Sequence, residues 1–257
     1  MGTAEEERPA WDDGEAALER RVRLLALPVA LGVCSLLAAT SGGRFLLRLF
    51  CGMWIHELGH AVTAWLCGFL AFPGPWLTPV SEGRSQVFSA LLSAALLVWA
   101  VRSLLGGARG VAGLALCLLA LQVAGSHLLG EERARMLVVF GGDACCLWGG
   151  AVLMSAVYAP EGSWPRRDWL RFGFLFIGAA AFCDVFSQWW AARTDFERIP
   201  FGHNEGAGLS DPSRLQETWG WTTDQLVSRY LTLGCAWLLA LAALYRWGWY
   251  TSRAVKE

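Results

Sequence analysis

The chain is 257 residues long, with 55% apolar residues, fifteen tryptophans and only 17% charged side chains. That composition excludes an ordinary soluble domain and indicates a polytopic membrane protein. A net charge of −1 gives no basis for a nucleic-acid partner, and eight cysteines, all within or at the edge of apolar segments and without a C-x-x-C pair, exclude a disulfide framework.

Residues 1–21 are polar and mainly acidic, turning basic at Arg20, Arg21 and Arg23, and they read as a flexible, uncleaved tail ahead of an anchor. A single membrane-embedded domain is expected over 22–250, followed by a short tail at 251–257. Its first span runs from Leu24 to Ala39 and ends at Ser41-Gly42-Gly43. The second, Arg44 to Phe72, carries His56-Glu57-Leu58-Gly59-His60 inside an otherwise apolar run. Ionisable groups in such a run are expensive and mark function. On a helix, His56 and His60 are four apart and share a face, so both imidazoles can hold one metal ion with Glu57 beside them. Zn²⁺ at such a site makes hydroxide available near neutral pH, and Glu57 is the expected general base.

This H-E-L-G-H within a membrane helix resembles the site-2 protease family of intramembrane metalloproteases, the M50 type. The resemblance implies a zinc-dependent peptidase of membrane-embedded protein substrates, multi-pass in the lipid bilayer of a bacterial-type inner (cell) membrane. It also implies a third ligand, an Asp from a later helix, usually in an Asp-Gly context.

After this span, Phe72 to Pro79 holds three prolines in seven residues and cannot be helical. A plain interfacial turn is one reading; a re-entrant or hairpin element that pairs with an unwound substrate is the other. Two further spans are expected, Val87 to Leu105 and Val111 to Leu129, with His127 at the second one's end. The fifth, Met136 to Tyr158, contains Gly141-Gly142-Asp143. The sixth, Leu170 to Trp190, contains Asp184 with Ser187 and Gln188 on the same side. Apart from Glu57, only Asp143 and Asp184 are acidic groups within apolar spans, so a third ligand is sought among Asp143, Asp184 and His127. Asp143 is preferred, because Gly141 and Gly142 let a neighbouring helix come close enough for so short a side chain. Its Gly-Gly-Asp order departs from the family's Asp-Gly. Asp184 is the alternative ligand or a hydrogen-bond partner for a ligating histidine.

Residues 191–222 form a polar interfacial loop and helix, with Ser210-Asp211-Pro212 as a helix start. His203 and Glu205 in this loop read as solvated. The last span is Leu226 to Trp247. The expected fold is therefore an all-α membrane bundle of about seven helices. Two other functions suit parts of the pattern: a zinc-dependent lipid amidase, and a non-catalytic regulatory or binding protein that retains the metal site.

Overall fold

A computed structural model describes residues 10–204 and 208–254. Helix α1 (Ala10–Ala38) begins inside the segment expected to be a flexible tail; residues 1–9 of that segment and 255–257 of the C-terminal tail lie outside the described residues. The remaining helices are α2 (Ser41–Leu47), α3 (Met53–Leu66), α4 (Gln86–Leu105), α5 (Arg109–Val123), α6 (Glu131–Ser155), α7 (Leu170–Ala191), α8 (Asp211–Trp219) and α9 (Thr223–Ala254). Two small antiparallel hairpins accompany them: β1 (Phe69–Ala71) with β2 (Val80–Arg84), and β3 (His203–Asn204) with β4 (Gly208–Leu209).

The architecture is an all-α membrane bundle. Among the described residues, six helices are long and apolar enough to cross a membrane, those containing Ala16–Ala38, Gln86–Leu105, Arg109–Leu128, Glu131–Tyr158, Trp164–Ala191 and Thr223–Tyr250. The expected seventh, the helix carrying His56 and His60, is not among them. A π-helical turn, Arg48–Gly52, carries α2 on into α3 with right-handed helical backbone at both junctions. The chain then leaves the helix at Cys67 and enters β1 three residues before the expected end at Phe72.

Helices α6 and α7 form the centre. Buried residues make up 61% and 50% of their spanning windows, against 17% in those of α1 and α4. Membrane helices gain little from apolar burial against one another, so close backbone approach is what holds such crossings together. Gly150 of α6 meets Gly178 of α7, where an added Cβ would lie 2.8 Å from the Gly178 carbonyl oxygen. The α3–α6 crossing is tighter: a Cβ on Gly59 would collide with the Gly141 carbonyl and with Cβ of Cys145.

Gly59→Ala is expected to cost about 1–3 kcal/mol through overpacking, read as a lowered Tm in detergent. Gly113→Ala, where nothing lies within 4 Å of the added methyl, serves as the control and changes stability by less than about 1 kcal/mol.

Candidate metal centre

His56 and His60 project from the same face of α3 with ring centroids 4.7 Å apart and planes at 84°. Each ring is held at its far nitrogen. Nδ1 of His60 lies 2.8 Å from the backbone carbonyl of Val138, and Nδ1 of His56 lies 3.0 Å from Oδ1 of Asp143. A carbonyl can only accept, and the carboxylate accepts as well, so both Nδ1 atoms carry the proton and both Nε2 atoms present a lone pair.

Those two lone pairs face each other. His56 Nε2 and His60 Nε2 are 3.1 Å apart, and Oδ2 of Asp211 stands 3.0 Å from the first and 3.1 Å from the second. Three acceptors thus converge on one point, an arrangement that a cation satisfies. The triangle has the size of a zinc face: ligands about 2.05 Å from a tetrahedral ion are separated by about 3.3 Å. Two imidazoles and one carboxylate form a donor set that suits zinc and leaves a further position open.

The backbone around the site explains how the groups meet. Gly142 lies against both rings; a Cβ there would sit 2.6 Å from Cε1 of His56 and from Nε2 of His60. Asp211 opens α8, with Ser210 in extended conformation before it and Pro212 after it in the first turn. The helix packs through Pro212, Ser213 and Leu215, all buried. Its start is tied to the 202 corner by Ser210 N–H to the Gly202 carbonyl and by Gly202 N–H to Ser213 Oγ, at 2.8 and 2.9 Å.

Sequence reasoning prefers Asp143 as the third ligand; in the structure the carboxylate that faces both Nε2 atoms is that of Asp211. Asp143 is beside the site, yet it binds the outer nitrogen of His56, and its second oxygen accepts from Trp189 Nε1 at 2.9 Å. Both carboxylate oxygens are therefore engaged away from the shared point. Asp143 orients His56 and fixes its tautomer, a task that outer partners of metal-bound imidazoles perform. Trp189 is fully buried and stacks on Tyr230, with centroids 4.4 Å apart.

Asp184 is also buried, but it pairs with Arg48 at 3.5 Å rather than with either histidine. Ser187 donates to the Asp184 carbonyl, and Gln188 receives Arg48 at 3.5 Å, so the expected polar stripe is a seam between α7 and the π-helical turn. His127 is exposed on the π-helical segment Ala124–Leu128 and His203 is exposed in β3, both apart from the triangle. Glu205 lies outside the described residues. Among the described residues, His56, His60 and Asp211 are the one group of three that could hold a metal ion.

Glu57 is 4% exposed and lines a cavity of about 900 Å³ shared with the three convergent groups. Arg48, Met53 and Trp76 also line it, as do Val80, Arg135 and Trp219. The cavity has the size range of ligand sites that take several residues or a small molecule.

Comparison with protein-family models, with curated proteins and with solved structures found no match.

Chelator competition for zinc separates the roles of the three aspartates. Asp211→Ala is expected to weaken affinity most, by more than about 100-fold; Asp143→Asn, which disturbs only the orientation of His56, by about 10–100-fold; Asp184→Asn by less than about threefold, a change below 1 kcal/mol.

Proposed function

We propose that this protein is an intramembrane zinc metallopeptidase that hydrolyses peptide bonds of membrane-embedded protein substrates. The observation that carries the reading is the meeting, in one cavity of an apolar helical bundle, of three metal-binding groups and a buried carboxylate on the same helix. His56, His60 and Asp211 would hold the ion. When bound, zinc supplies Lewis-acid polarisation of a carbonyl and activation of water near neutral pH.

The chain's own residues supply the proton traffic. Glu57 accepts a proton from the attacking water as its oxygen bonds to the peptide carbonyl carbon. The same carboxyl then gives that proton to the departing amine nitrogen as the C–N bond breaks. Asp143 keeps His56 in the tautomer whose Nε2 is free to ligate.

A helical substrate hides its amides, so cleavage requires local unwinding. Hairpin β1–β2 follows directly on α3, and β2 pairs with β1 along one edge. Its other edge offers backbone groups to an extended substrate strand. Val80 of β2 lines the cavity, which sets that strand beside the convergent groups.

Two imidazoles and a carboxylate also suit non-haem iron. What favours hydrolysis is Glu57, a fourth ionisable group that is no member of the triangle yet is buried beside it.

Glu57→Gln is expected to retain one equivalent of zinc by elemental analysis and to lose cleavage of a fluorogenic transmembrane peptide by at least about 10²-fold. A Glu57→Gln protein that cuts at the wild-type rate, or a wild-type protein purified with iron in place of zinc, would overturn the proposal.

A further inference from the structure

The segment between β1 and β2 is stiffer than a turn requires. Pro73, Pro75 and Pro79 each fix a φ angle. The loop is closed by Phe72 N–H to the Pro79 carbonyl and by Gly74 N–H to the Leu77 carbonyl, both at 3.1 Å. Thr78 stands directly before Pro79, which confines its backbone to extended conformations, and its branched β-carbon restricts χ1. Few conformations remain for the Thr78 hydroxyl.

That hydroxyl is aimed at Glu57. Thr78 Oγ1 lies 2.8 Å from Oε2 of Glu57 and 2.9 Å from the Glu57 backbone carbonyl oxygen. Thr78 is 9% exposed. No other side chain among the described residues donates to this carboxylate. The hydroxyl has one proton to give, and of its two acceptors the carboxylate oxygen is the nearer and the charged one; that contact holds the carboxylate in one rotamer. Trp76 and Leu77, the two residues before Thr78, are half exposed and line the same cavity as Glu57. The loop that holds the base therefore also forms part of the cavity wall.

We propose that Thr78 is a positioning residue: it aligns the Glu57 carboxylate toward the point shared by His56, His60 and Asp211, and its loop links occupancy of the cavity to that alignment. The inference rests on the metallopeptidase reading for the role of Glu57.

The test follows the base without peptide turnover. Full-length protein in detergent is loaded with Co²⁺ and titrated with acetohydroxamic acid, binding being read from the visible absorption of cobalt. On chelation this acid gives up its hydroxyl proton, which an aligned Glu57 is expected to accept. Thr78→Val is expected to weaken hydroxamate binding about tenfold, the loss that follows when a hydrogen bond to a charged group is removed. Thr78→Ser restores wild-type binding. Glu57→Gln weakens binding at least as much as Thr78→Val, and adding Thr78→Val to Glu57→Gln changes nothing more, because Thr78 acts only through Glu57. Thr78→Ala carries the same expectation as Thr78→Val should the valine variant not fold.

Hydroxamate binding by Thr78→Val within about twofold of wild type, equal weakening by the serine and valine variants, or additive effects of Thr78→Val and Glu57→Gln would each overturn the inference. Wild-type protein that takes up no cobalt overturns the inference together with the metal site. The expected hydroxamate pattern in a protein that leaves every peptide intact would leave Thr78 as the aligning residue and overturn only the peptidase reading.

Discussion

Everything at this site depends on holding three electron-rich atoms within about 3 Å of one another in an apolar bundle. Two imidazole lone pairs and a carboxylate oxygen repel unless positive charge stands among them, and burial sharpens that repulsion because little water screens it. The protein bears the conflict by fixing each group from behind. Val138 and Asp143 hold the rings by their outer nitrogens, and Asp211 is held by a helix start braced through Gly202 and Ser213. A cation turns the repulsion into attraction, so the same constraint that destabilises the empty arrangement selects what fills it.

Glycine makes the bracing possible. The carbonyl of Val138 reaches His60 only because α3 and α6 cross almost backbone to backbone, at Gly59 and Gly141. One residue later, Gly142 leaves room for the imidazoles where any side chain would strike them. The Gly-Gly pair therefore does two things. Gly141 sets the helix separation, and Gly142 makes space for the two imidazoles. Asp143, next along α6, then falls behind His56 rather than in front of it. The order Gly-Gly-Asp is legible as a close approach, but its consequence for Asp143 is a matter of rotation about the helix axis, which the sequence does not print.

Other parts divide along similar physical lines. His56, Glu57 and His60 are legible because a four-residue spacing on a helix fixes their common face locally. The six spanning helices are legible as long apolar runs. The helix that carries the histidines read as a seventh span; it runs from α2 through a π-helical turn into α3, and Arg48 in that turn meets Asp184 across the bundle, a contact between residues far apart in sequence. The proline-rich stretch announced itself as non-helical, and its closure into a hairpin needed the Phe72–Pro79 pairing. Asp211 was hidden for a different reason. It lies in a polar surface segment, so a search confined to acids within apolar spans passes over it. Its one local sign, a helix start at Ser210-Asp211-Pro212, is what any capped surface helix shows.

That the carboxylate facing both histidines comes from outside the long apolar helices raises the question of what positions it. Were Asp211 on a loose loop, the ion itself would have to draw the segment in, and the entropy of ordering that backbone, roughly 1–2 kcal/mol per residue, would be taken from metal affinity. The packing argues otherwise. Leu215, one turn into α8, is fully buried, and Pro212 and Ser213 are buried beside the ligand. Tyr230 at the base of α9 donates to the Phe140 carbonyl at 3.4 Å, and the Phe140 ring stacks on Tyr230 and tilts against Trp221, which closes the segment from its other end. Apolar burial and hydrogen bonds independent of any ion therefore set the carboxylate in place, so that an ion bound there would not have to order the segment. A site so preorganised presents two imidazole nitrogens and one carboxylate oxygen 3.0–3.1 Å apart, and it is the imidazoles that suit zinc and not calcium, which takes oxygen ligands.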